Sequence, residues 1–361
     1  MCRAVDGRPD HLEQRVTVTE PPLATSEAFG RAGVMPRPPR VVSGITPSGS
    51  LTLGNYLGAL RRFVNGQHSQ QGFFFVADLH ATTTEHHPAR LREVTLETAA
   101  LFFAAGLDAQ HSTVFVQSHV PAHAELAYLL ESTAYVGELS RMIQFKEKGG
   151  RPRTRASLFT YPCLMAADIL LYETQTVPVG GDQDQHVELC RDVAQRFNRE
   201  YARTFVLPRL DRAALAARVA DLLDPSMKMS KSAPATAAGV IRMVDPPEVI
   251  RRKINRAVTD SYARVRYDPV AQPGLSNLLD IIAVITGQSP AEVAAGFASY
   301  ADVKRSCADH VVDVLTPVQR RYADLSRDRD HLMSLLESGA ARARVAAAPV
   351  LARARDAIGL V

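Results

Sequence analysis

The sequence predicts an α/β protein built on a doubly wound parallel sheet, followed by an all-α helical domain. Three observations carry this. From Val41 to about Asp224, short apolar runs bounded by turn residues alternate with stretches at helical spacing. The runs are continuously apolar, as in Phe73-Phe74-Phe75-Val76-Ala77 between Gly72 and Asp78, which is how strands covered on both faces read. Past Pro225 the β signals fade and helical patterns remain.

Composition narrows the class. The 361 residues give a prior of one large domain plus a smaller one. With 46% hydrophobic and 22% charged residues, the chain reads as soluble and globular, with a large core. No run approaches the roughly 18 apolar residues of a membrane helix. A net charge of +4 points to a local basic surface rather than a tail that coats nucleic acid. Cys2, Cys163, Cys190 and Cys307 are too dispersed for a CxxC site and too few for a disulfide scaffold, which fits a reducing cytoplasm.

The elements follow in order. Residues 1–40 are rich in Pro, Arg and Glu and lack the apolar core of a secretory signal. Asp6, Asp10, Glu13, Glu20 and Glu27 argue against a transit peptide, so the segment reads as a partly disordered extension. A β-prone run, Val41-Val42-Ser43, leads through Gly44–Gly49 into a helix marked by Leu53, Leu57, Leu60 and Val64. The strand at Phe73–Ala77 comes next. A helix over Leu91–Ala105 should end at Gly106 in a left-handed cap, and Val114-Phe115-Val116 forms the next strand. Helices are expected over Pro247–Val258, Leu275–Gly287 and Pro290–Tyr300, with an Ala/Arg-rich helical tail from Pro317.

Strand, glycine loop, then helix is how an α/β protein offers backbone N–H groups to phosphate. Gly44 and Gly49 have Walker A spacing, but Ser50 and Leu51 stand where Lys and Ser/Thr are needed, and no GxGxxG follows the strand. What is present is Pro47-Ser48-Gly49-Ser50-Leu51-Thr52-Leu53-Gly54-Asn55-Tyr56. A capped helix after a Pro-Ser-Gly turn would read the same way. Far along the chain, Lys228-Met229-Ser230-Lys231-Ser232 lies between Asp224-Pro225 and Ala233-Pro234, a loop where α/β character gives way to helix.

Together these segments resemble the two signatures of the class I aminoacyl-tRNA synthetases, in the form used by the bacterial tryptophan enzymes. Thr52-Leu53-Gly54-Asn55 occupies the HIGH positions, and Lys228–Ser232 matches KMSKS throughout. The resemblance runs from Val41 to the C-terminus and includes Gly137-Glu138-Leu139, Gln144–Lys148 and Met165–Tyr172. It implies a Rossmann-like nucleotide-binding domain over 41–224, a helical domain over 225–316 that meets the tRNA anticodon, and helices at 317–361 that return to the first domain. It implies ATP with Mg²⁺, tryptophan and tRNA(Trp) as partners, a homodimer, and a cytoplasmic setting.

Residue by residue, the resemblance places ATP against Thr46, Ser48, Gly54, Asn55, Gly180, Asp182, Gln183 and the whole of Lys228–Ser232 (Lys228, Met229, Ser230, Lys231, Ser232). Gly54 lets adenine approach the helix, and Thr52 and Asn55 can hydrogen-bond phosphate or ribose. Lys228 and Lys231, with Lys148, would neutralise charge growing on the pyrophosphate leaving group. Asp168 stands among Met, Ala, Ile and Leu, where a carboxylate needs a partner that its sequence neighbours do not supply. As the indole nitrogen only donates, Asp168 is expected to accept it. Met165, Ile169, Val177 and Val179 would pack the ring, Tyr161 and Gln183 would bind the α-amino group, and His80, just past a strand, would line the pocket. Thr46 replaces a Gln usual in the family, a change expected to alter affinity.

His119 and His123 are spaced i, i+4, but Pro121 between them and the absence of Glu at position 120 exclude HExxH, so no metal site is expected. Three rivals remain: a tyrosine-specific relative, a nucleotidyltransferase that charges no tRNA, and a tryptophan sensor. The helical C-terminal third and intact KMSKS weigh against the second, and the two lysines against the third.

Overall fold

The structure, a computed structural model, describes residues 38–150, 152–178, 184–211 and 219–361. The extension expected over 1–40 falls outside them as far as residue 37. β1 (Arg40–Ile45) leads to a helix that begins as α1 (Leu53–Asn55), widens into a π segment over Tyr56–Leu60 and resumes as α2 (Arg61–Gly66). β2 (Gln71–Val76) is followed by α3 (Asp78–Ala81) and α4 (Pro88–Ala104). β3 (Ser112–Val116) is followed by a 3₁₀ turn over Gln117–His119, then α5 (Ala122–Glu131), α6 (Val136–Leu139), α7 (Ile143–Lys148) and α8 (Ser157–Leu170). β4 (Thr176–Pro178), α9 (Asp184–Glu200) and β5 (Arg209–Asp211) come next. α10 (Pro247–Asn255), α11 (Pro273–Thr286), α12 (Pro290–Ala295), α13 (Tyr300–Arg327) and α14 (Arg329–Ile358) end the chain with no further strand among the described residues.

β1, β2 and β3 form a parallel sheet in that order, and β4 pairs in parallel with β5. β4 lies beside β1, where the Arg40 guanidinium donates to the Tyr172 carbonyl and to Glu173, both at 3.1 Å. Because successive strand side chains point to opposite faces, the apolar runs feed two cores. Val41, Ile45, Phe74, Val76, Val114 and Val116 face a cluster shared with α4, α11 and α13. Val42, Phe73, Phe75 and Phe115 face one shared with α5, α8, α9 and α14. Burial on both faces is why these strands are apolar throughout rather than alternating.

α14 covers β3. Arg342 donates to the carbonyls of Ala109 (2.6 Å) and Ser112 (3.0 Å), and Arg344 to that of His119 (2.9 Å), so the helix binds both ends of the strand. Gly339 makes the approach possible, since a Cβ there would sit 1.8 Å from the Val114 carbonyl oxygen. An exposed Gly→Ala change inside a helix gains about 1 kcal/mol. Here the sign reverses: Gly339→Ala is expected to destabilise by about 3 kcal/mol through overpacking. A thermal melt should show a lower Tm, and a raised one would refute the contact.

Candidate active site

The chain places its polar groups at the carboxyl ends of β1, β2 and β3, the edge where open α/β sheets bind ligands. Thr46–Gly49 leaves β1, Asp78 and His80 follow β2, and Gln117 and Ser118 follow β3. Asp78 clasps the last two segments together, accepting from the Ser118 N–H at 3.0 Å and its hydroxyl at 2.5 Å.

The first loop is held as a helix start. Thr52 is the N-cap of α1. Its hydroxyl accepts from the Asn55 N–H (3.4 Å) and donates to Asn55 Oδ1 (3.1 Å), which also accepts from the Thr52 N–H (3.0 Å). Such a reciprocal cap satisfies orphan donors of the first turn. Thr52 is fully buried and committed to this cap, as is the Asn55 amide oxygen. A Cβ at Gly54 would meet only ordinary contacts at 3.5 Å, so protein packing does not demand glycine there.

The second loop is docked on the first. Its strand-like entry pairs with the opposite segment, the Met229 N–H donating to the Val219 carbonyl at 3.1 Å. Met229 is buried in the core, while Lys228 and Ser230 to either side are exposed. Lys231 folds inward and its Nζ donates to the Thr46 carbonyl at 2.6 Å; the Ser232 hydroxyl meets that of Ser48 at 3.2 Å. Gly49 permits this closeness, because a Cβ there would lie 2.1 Å from the Lys231 carbonyl oxygen. Burial, and then the neighbouring Lys228 charge, push the Lys231 ammonium down to about 8. Arg242, invisible in sequence among Ile241 and Met243, ties the two loops. Its backbone bridges Thr52, and its side chain donates to the carbonyls of Ala233 (3.0 Å) and Pro234 (2.8 Å).

The second centre is Asp168 on α8, only 4% exposed. Its Oδ1 accepts from Gln117 Nε2 (2.7 Å) and lies 2.6 Å from His123 Nδ1; its Oδ2 lies 2.9 Å from His80 Nε2. His123 Nε2 is 2.7 Å from the Tyr172 hydroxyl. Burial pushes the carboxyl up, but the hydrogen bonds from His123 and His80 prevail and hold it below the usual carboxylate range. Tyr161 is buried two turns earlier on α8, with its hydroxyl 2.6 Å from His186 Nε2 and its ring edge-on to His80. Ile169 and Val177 are buried in the same cluster, and Met165 packs against it.

The structure thus brings Asp168, His80 and Tyr161 together, and Thr46 and Ser48 against Lys231 and Ser232. Lys148 closes α7. Val179, Gly180, Asp182 and Gln183 lie outside the described residues. Gln117, His123, His186 and Arg242 were given no site role by sequence. Gln117 follows β3 just as His80 follows β2, so the edge rule that flagged His80 applies to it equally. Among the described residues no His, Cys, Asp or Glu cluster has an arrangement to hold a metal ion, and no helix is long and apolar enough to cross a membrane.

Comparison with known proteins gives this geometry a context. A family model described as tRNA synthetases class I (W and Y) matches residues 35–316. A Streptomyces coelicolor relative named Tryptophan–tRNA ligase 1 is 51% identical over 328 residues, spanning 89% of this chain and 97% of its own. The crystal structure of tryptophanyl-tRNA synthetase from Mycoplasma pneumoniae superposes with a TM-score of 0.81 at 36% identity, covering 90% of this chain and 98% of that one. The Campylobacter jejuni enzyme, solved with ADP and tryptophan, gives 0.75 at 32% identity, covering 89% and 100%.

Proposed function

The chain belongs to the class I tRNA synthetases (W and Y), and from that premise we propose that it activates L-tryptophan with ATP and charges tRNA(Trp) in the cytoplasm. The observation that carries the reading is the docking of Lys231 and Ser232 on Thr46–Ser48, which gathers both signature loops at one sheet edge. ATP, brought with Mg²⁺, lies across these loops. Thr46, Ser48, Gly54, Asn55, Gly180, Asp182 and Gln183 receive it on one side and Lys228–Ser232 on the other. Gly54 supports this, since ligand approach gives a reason for a glycine that packing does not require.

In the first step a tryptophan carboxylate oxygen bonds to the α-phosphorus as the bond to the bridging oxygen breaks, giving tryptophanyl-adenylate and pyrophosphate. Lys228, Lys231 and Lys148 offset the charge that grows on the leaving group, a transition-state effect. Thr52 and Asn55 act by holding the helix start in place. In the second step a terminal ribose hydroxyl of the tRNA attacks the activated carbonyl and AMP leaves. The indole N–H donates to Asp168 Oδ2 in place of His80, with Met165, Ile169, Val177 and Val179 around the ring and Tyr161 and Gln183 at the amino group. A buried acceptor supports tryptophan as the substrate, because a site built to pair one polar atom rejects partners that lack it.

Residues 41–224 form the catalytic domain, 225–316 meet the anticodon, and 317–361 return to the sheet. The working unit is a homodimer, for which the exposed apolar side chains of Tyr128, Tyr135, Val136 and Ile143 along α5–α7 offer a surface. ATP–pyrophosphate exchange with tryptophan and with tyrosine, followed by tRNA charging, tests the reading. Exchange and charging with tryptophan alone are expected; tryptophan binding without exchange would make the protein a sensor.

A further inference from the structure

The geometry points to His123 and Tyr172 as positioning residues that fix one oxygen of Asp168 for the indole N–H, and so set discrimination for tryptophan. The two carboxylate oxygens have different surroundings. Oδ1 is taken on its protein side by Gln117 and His123, both fully buried. Oδ2 has His80, whose side chain is 13% exposed and lies at the sheet edge beside Tyr161. An ionised carboxylate only accepts, so Gln117 and His123 must both donate to Oδ1. Taking Asp168 as the indole acceptor proposed above, the reading on which this rests, Oδ2 is the oxygen left to face substrate.

The direction of the chain behind Oδ1 follows from the same donor count. His123 gives its Nδ1 proton to Asp168, which leaves Nε2 to accept from the Tyr172 hydroxyl. Burial first, and then the Asp168 charge, push the Tyr172 phenol well up, so it keeps the proton it donates. Tyr172 itself has little room to move: its ring stacks on Phe73 at 4.4 Å and lies tilted against Phe115 and His123. Asp168 and Tyr172 are one helical turn apart, and His123 on α5 bridges them from a different element.

The carboxylate torsion of Asp is broad and roughly two-fold. With Gln117 alone on Oδ1 the carboxylate can swing about this torsion, and the acceptor is no longer held at one place. Preorganisation of this kind acts on the single polar atom and leaves apolar packing of the ring unchanged. His123 and Tyr172 should therefore affect tryptophan and spare an isostere that packs alike but has no ring N–H.

The test compares kcat/KM in pyrophosphate exchange for tryptophan and for 3-(benzothiophen-3-yl)alanine, in which sulfur replaces the ring N–H. Tyr172→Phe removes one hydroxyl and should lower the tryptophan-to-analogue ratio by about 3- to 10-fold, the worth of a neutral hydrogen bond. The loss should fall on the tryptophan KM, with the analogue little changed. His123→Leu removes one of the two donors to Oδ1, leaving Gln117 alone there, and should lower the ratio by about 10- to 100-fold. His123→Asn, whose amide nitrogen can stand near the Nδ1 position, should restore most of it. If His123→Leu fails to fold, Tyr172→Phe decides alone.

Equal losses for both substrates in Tyr172→Phe would mean a merely structural role and overturn the inference. An unchanged ratio in Tyr172→Phe and His123→Leu, with a collapsed ratio in Asp168→Asn, would overturn it while sparing the indole reading. An unchanged ratio in Asp168→Asn would remove the reading of Asp168 itself.

Discussion

Lys231→Ala is expected to slow tryptophan activation by about 10²- to 10³-fold, the usual effect of losing one donor aimed at developing charge, while tryptophan affinity stays nearly unchanged. The separation follows from position. Lys231 reaches Thr46 at the end of β1, whereas the proposed ring acceptor Asp168 is on α8 with partners from α3, the β3 exit and α5. A group that acts on the leaving pyrophosphate lowers kcat and kcat/KM together when removed, and ground-state binding of the amino acid does not report it. Single-turnover rates beside equilibrium tryptophan binding check this, and equal losses in both would sink the assignment.

The same lysine gives a pH signature. Burial and Lys228 bring its ammonium from the ordinary 10.5 down to about 8. The free enzyme therefore carries the charge below pH 8 and sheds it as pH rises through 8, so kcat/KM for ATP should fall on that limb. The stability sign is opposite. Between 8 and 10.5 the unfolded chain binds more protons than the folded one, so this group adds stability as pH rises while it removes activity. Lys231→Arg keeps a permanent charge and should move the alkaline limb well above 8 even if its rate is lower.

What sequence made legible here was local, and what it missed was distant. The triple Phe run gave β2 within two residues at either end, because a continuously apolar run has one comfortable place in a parallel sheet. Gly106 and Gly287 marked helix ends and both take positive φ, at +116° and +79°, where side-chain-bearing residues are strained. The helices expected over Leu275–Gly287 and Pro290–Tyr300 appear as α11 and the shorter α12. By contrast, Asp168 read as a carboxylate without a partner because only its neighbours along the chain could be inspected. Its partners come from His80, Gln117 and His123, brought in by sheet topology rather than by spacing. The i, i+4 spacing of His119 and His123 gives no hint of this role: His119 lies in the 3₁₀ turn, while His123 turns inward from α5. The π segment at Tyr56–Leu60 has no sequence mark either, as its apolar residues fit an ordinary helix equally well.

Asp168→Asn is the other change with a large expected effect: selectivity should collapse while the fold survives. Gln117 and His123 both donate to Oδ1, so an asparagine would keep its carbonyl oxygen there and turn its NH₂ toward His80. His80 can answer by presenting an accepting ring nitrogen, which leaves no buried donor orphaned. Tryptophan has no such freedom, because its ring nitrogen only donates and would now face another donor. Loss of a charge-assisted bond together with an unpaired buried N–H amounts to about 3 kcal/mol, or roughly 10²-fold in kcat/KM for tryptophan. The Tm should move little, since the donors behind Oδ1 keep their partner. A Tm that collapses with activity would make Asp168 a structural acid, and an unchanged tryptophan kcat/KM would remove it from the pocket altogether. Asp168→Leu separates the two roles from the other side: leaving Gln117, His123 and His80 without an acceptor should destabilise by about 3–5 kcal/mol, as breaking a buried pair does. The contrast between a quiet Asn and a damaging Leu distinguishes a carboxylate kept for recognition from one kept only to satisfy its neighbours.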